Sequence, residues 1–105
     1  MTQNAKVAFW EMTRAAVAQA ITVERLEDGT PYLKYHIPAD EDMQKAIRSA
    51  MADVRPSGAI LAMGERMFSA ADLAAIRDIA HRHVVESACR AGKPVPEEVL
   101  ASYRI

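Results

Sequence analysis

At 105 residues and a formal charge of −1, the chain has the length of one domain and lacks the basic excess that would hold it on a phosphate backbone. Its 13 Lys and Arg residues are scattered among 14 Asp and Glu, the single cysteine excludes an internal disulfide, and no run approaches the roughly 18 apolar residues of a membrane span. Half of the residues are apolar but only 6% are aromatic, so each buried position removes little area from water, and a partner or a second copy is expected to complete the stability.

Residues Asn4 to Ala20 contain no glycine or proline and read as one helix. Its apolar residues form two stripes. Val7, Trp10, Val17 and Ile21 make one, and Ala5, Phe9, Met12, Ala16 and Ala20 make a second on roughly the opposite side. A helix that is apolar on two sides is either sandwiched or lends one side to another chain. The run Ala5 to Trp10 is too short for a leader peptide and is followed at once by Glu11 and Arg14, so a cytoplasmic location is expected.

Ile21 to Pro38 is a hairpin candidate with Asp28-Gly29 as the turn signal. A two-residue loop would pair Val23 with Lys34 and mix the faces. A three-residue loop, Glu27-Asp28-Gly29 with Gly29 left-handed, pairs Val23 with Leu33 and Ile21 with Tyr35, and this register is adopted. Pro31 cannot donate to a ladder, so its strand is an edge there or begins just after it.

Pro38 to Arg55 carries Met43, Ile47, Ala50, Met51 and Val54 on one helical stripe, with Asp40, Glu41 and Asp42 at the positive end of the helix dipole. Pro56-Ser57-Gly58 breaks it. Ala59 to Met67 suits either a short helix or a third strand against the hairpin, with the helix preferred.

From Phe68 to Gly92 the chain has the signals of a long helix. Ser69 and Asp72 form a capping box, Phe68 can staple onto Leu73, and Gly92 with Pro94 closes the far end. Leu73, Ile76, Ala80, Val84, Ser87 and Ala91 lie on its stripe, and its length of about 33 Å makes it the spine of the fold. Pro96, Glu97 and Glu98 start a short last helix to about Tyr103. The architecture is thus α+β, mainly α: helix, hairpin, helix, a short ambiguous segment, a long helix and a short C-terminal helix. The initial order resembles that of the small head–tail joining proteins of tailed phages, a likeness of topology without a shared motif.

Candidate chemistry is sparse. His81 and His83 point about 200° apart on a helix, His83 and Glu86 would need ligands from other helices, and Cys89 has no base within reach on its own helix. These side chains therefore read as surface or boundary residues, and no metal, cofactor or catalytic residue is expected. A DNA-binding helix-turn-helix can be drawn from Ala59–Met67 into the long helix, with Arg77, His81 and Arg82 available, but the start of its recognition helix, Ala70-Ala71-Asp72, is acidic. The preferred expectation is a non-enzymatic protein–protein interaction module that self-associates as a dimer through the first helix. Phe9, Trp10, Met12, Ala16 and Ala20 would supply its apolar contact, and Asp40, Glu41 and Asp42 an acidic one.

Overall fold

A computed structural model describes residues 8–38 and 40–104. Among them the chain forms four α-helices, α1 (Arg14–Ala20), α2 (Glu41–Asp53), α3 (Ala70–Arg90) and α4 (Glu97–Tyr103), and one antiparallel pair of strands, β1 (Ile21–Arg25) and β2 (Pro31–Tyr35). This is the expected α+β order. Helix α3 packs against every other helix, both strands and a 3₁₀ turn at Phe9–Glu11, so it is the spine.

The strands pair Ile21 with Tyr35, Thr22 with Lys34, Val23 with Leu33 and Glu24 with Tyr32, the register of the three-residue loop. Leu26 N–H donates to the Thr30 carbonyl and Gly29 N–H to the Leu26 carbonyl, both at 2.9 Å. Gly29 has φ 89°, a conformation that costs a residue without Cβ little. Bonded pairs at Leu26/Thr30 and Ala20/His36 leave Pro31 in a non-bonded pair, so its missing N–H lies on the open edge of β2.

Helix α2 starts at Asp40, whose carboxylate accepts from Met43 N–H at 2.7 Å, and buries Met43, Ala46, Ile47 and Ala50. Helix α3 has its capping box: Ser69 Oγ accepts from Asp72 N–H at 3.1 Å, and the Asp72 carboxylate accepts from Ser69 N–H at 2.9 Å. At the other end Lys93 N–H reaches back to the Ala88 carbonyl at 3.0 Å across Gly92, which is left-handed. Phe9, Val17 and Ile21 join Met43, Ile47, Leu73 and Ile76 in one core, where each side chain contributes about 1.5–3 kcal/mol over exposure.

Three expectations are corrected. Residues 4–7 of the expected first helix lie outside the described residues, and the remainder is not one helix. It is the Phe9–Glu11 turn, an extended Met12-Thr13 step, and α1, which Thr13 caps by accepting from Ala16 N–H at 3.1 Å. The bend turns residues of both apolar stripes, Phe9 and Ala20 from one and Val17 and Ile21 from the other, onto the chain's own core.

The buried face of α3 also shifts past Ala80. It continues through His81, Val85 and Ala88, while Ser87 and Ala91 are exposed and Val84 is half-buried. His81 is therefore an interior residue rather than a surface or boundary one.

Finally, Ala59–Met67 is neither an α-helix nor a strand of the sheet. It is a small doubled-back turn with a 3₁₀ step at Ala62–Gly64 and one antiparallel bridge, Ile60 with Arg66. Leu61 N–H bonds to the Glu65 carbonyl and Gly64 N–H to the Leu61 carbonyl, repeating the pattern of the Leu26–Thr30 loop.

Candidate functional site

The 58–67 turn is fixed at its neck and bare at its tip. Gly58 N–H donates to the Met67 carbonyl at 2.8 Å, and a Cβ built on Gly58 would stand 2.3 Å from that oxygen, so only glycine fits. Beside it, the Asp72 carboxylate accepts from Ser57 N–H and from Ser57 Oγ, each at 2.7 Å, as well as from Ser69. These bonds, those from the Ser69 and Ser57 backbone foremost, hold the Asp72 carboxyl down at about 2. The helix cap and the neck are thus one hydrogen-bonded unit.

Residues 59–66 are all exposed. At the tip Ile60 is 66% exposed, Leu61 46% and Met63 98%. Met63 adopts φ 74°, ψ 14°, the left-handed region that glycine or asparagine normally fills in such a turn. Neither backbone preference nor burial accounts for a methionine there.

A second feature lies toward the far end of α3. Asp42, Lys45 and Ser49 of α2 face His83 and Ser87 of α3, and Ala91 just past its end, across an open groove of about 430 Å³, within the range of ligand pockets. Ala46, Val84 and Ala88 form its floor, and Trp10 and Lys93 complete its wall, the ammonium lying 5.7 Å from the centre of the indole ring. Small side chains on two facing helices leave the hollow, and the bend at Met12 brings Trp10 to its side.

The residues expected to meet a partner divide accordingly. Phe9 is 1% exposed and Ala20 is buried, so neither is a contact surface. Met12 and Ala16 are half-buried, and Trp10 stands in the groove. Asp40 caps α2, Glu41 pairs with Lys45 at 3.0 Å, and Asp42 lines the groove. Trp10, Met12 and Ala16 keep part of their surface, while the two most exposed large apolar side chains among the described residues, Met63 and Ile60, lie on the 58–67 turn.

The helix-turn-helix lacks its first helix. Of its reading residues, Arg77 donates to the Ile21 carbonyl at 3.0 Å and His81 is buried. Among the described residues no three His, Cys, Asp or Glu side chains converge as a metal site, and no helix is long and apolar enough to cross a membrane.

A usable signal for the turn was present in the sequence. Leu61-Ala-Met-Gly64 repeats the spacing of Leu26-Glu-Asp-Gly29, with leucine closing the loop and glycine three residues on in the left-handed position. No family model, no curated protein and no solved structure matches the chain.

Proposed function

We propose that the chain is a small non-enzymatic protein–protein interaction module whose contact element is the 58–67 turn. The observation that carries this reading is Met63, which is nearly fully exposed at the apex and held in a conformation unsuited to its side chain. A side chain that serves neither the backbone nor the core is open to contact outside the chain. The fixed neck supports the reading, because an apolar tip already held in one conformation loses little entropy on docking.

The test is site-specific photo-crosslinking in the native host, with a benzophenone residue in turn at positions 60, 61 and 63 and at exposed Arg48 as control. Discrete adducts from the three tip positions and none from position 48 are expected. Absence of adducts at all three removes the reading.

A further inference from the structure

We infer that Met63 is an oxidation-responsive position: conversion of its thioether to the sulfoxide switches off the contact made by the 58–67 turn. This deepens the reading of the turn as a contact element and rests on it. The first support is selective access. Among the described methionines Met63 is 98% exposed, Met12, Met51 and Met67 are half-buried, and Met43 is a core residue at 2%. Oxidation follows access to the sulfur, so the fold offers one thioether to an oxidant and shields the rest.

The second support is that the fold does not depend on this side chain. The turn is held by backbone bonds, from Gly58 N–H to the Met67 carbonyl at 2.8 Å, from Met67 N–H to the Ala59 carbonyl at 3.2 Å and from Gly64 N–H to the Leu61 carbonyl at 3.1 Å. An oxygen added at Met63 disturbs none of them, whereas one added at Met43 would put a polar group into the core. The third is the size of the tip. Its apolar surface comes from Ile60, Leu61 and Met63, so turning the most exposed of the three into a polar, chiral group removes a large share of what a partner could bury.

The step balances with a peroxide as oxidant. A sulfur lone pair attacks one peroxide oxygen, the O–O bond breaks, the sulfide is oxidised by two electrons to the sulfoxide, and hydrogen peroxide leaves as water. A dithiol reductase reverses it, releasing the oxygen as water while its two thiols become a disulfide.

The experiment treats the purified full chain, carrying benzophenone at position 61, with dilute hydrogen peroxide, and then removes the peroxide. Sulfoxide at each methionine is measured by peptide mass mapping, together with the melting temperature and the yield of light-induced adducts in a lysate of the native host. Met63 should oxidise at least about tenfold faster than Met43, with the melting temperature unchanged. Adduct yield should fall about tenfold and return after treatment with methionine sulfoxide reductase. Met63→Gln, polar without any oxidant, should give the low yield from the start. Met63→Leu keeps every other methionine and Cys89, and its yield should be the same before and after peroxide.

Oxidation at Met63 no faster than at Met12, Met51 or Met67 overturns the inference, as does a peroxide-dependent loss of adducts that persists in Met63→Leu. Full sulfoxide at Met63 with undiminished adducts would sink the switch while leaving the contact role of the turn standing. No adducts from positions 60, 61 and 63 of the reduced chain would sink both.

Discussion

His81 Nε2 lies 3.0 Å from the carbonyl oxygen of Phe9, 72 positions earlier in the chain. A carbonyl can only accept, so Nε2 carries the proton and Nδ1 accepts from the Tyr103 hydroxyl at 2.6 Å. The Phe9 and Tyr103 rings tilt against the imidazole at centroid distances of 4.9 and 5.3 Å. One buried side chain thus ties the first described turn and the last helix to α3.

Removing this bridge should cost stability in proportion to what is left unpaired. His81→Phe keeps a ring of similar size but orphans the Phe9 carbonyl, and should lower the unfolding free energy by about 1–3 kcal/mol. Tyr103→Phe should cost about 0.5–1.5 kcal/mol. Because the tyrosine bonds to His81, the double variant should lose less than the sum in urea denaturation; strict additivity would show that the bond at 2.6 Å contributes nothing.

The same residue sets an acid limit. Burial pushes the His81 imidazole below its ordinary value of 6.5, outweighing the hydrogen bonds that favour the charged form. Between the folded value and 6.5 the unfolded chain binds more protons, so stability is complete above about pH 6.5 and declines as the pH falls toward the folded value. Tyr103, pushed up to about 12 mainly by burial, acts in the opposite direction: its contribution is complete below pH 10 and is lost as the pH rises toward 12. Asp72, held near 2, withdraws its share only below about pH 4. Urea midpoints should therefore fall from pH 7 to pH 5 in the wild type and be flatter in His81→Phe. An equal slope in both would assign the acid loss to other groups.

Two glycines should respond to alanine for different reasons. At Gly29 the space is open but φ is 89°, so Gly29→Ala should cost about 1 kcal/mol, and asparagine should cost less. At Gly58 the added carbon meets the Met67 carbonyl at 2.3 Å, so Gly58→Ala should cost about 1–3 kcal/mol and free the neck. Hydrogen exchange separates the two. Only Gly58→Ala should speed exchange at the Leu61 and Met67 amides, which are bonded across the turn.

Much of the scaffold was legible because it depends on neighbours in sequence. Asp40 and Ser69 cap helices whose free N–H groups lie three residues on. The hairpin register followed from requiring Val23 opposite Leu33, since a slip of one residue would have exposed the apolar face. The candidate site was less legible. The Leu61-Ala-Met-Gly64 spacing resembles a turn, yet an apolar run of that length equally suits helix or strand, and exposure cannot be read from composition.

By itself the sequence determined the order of the elements, the hairpin pairing and both ends of the spine helix, since caps, turn glycines and alternating patterns act over a few residues. Tertiary structure decided where the opening segment bends and which side of α3 is interior beyond Ala80. There, a distant carbonyl and a tyrosine hydroxyl satisfy His81, and their hydrogen bonds and ring packing outweigh the weak local preference of residues 9–13 to remain helical.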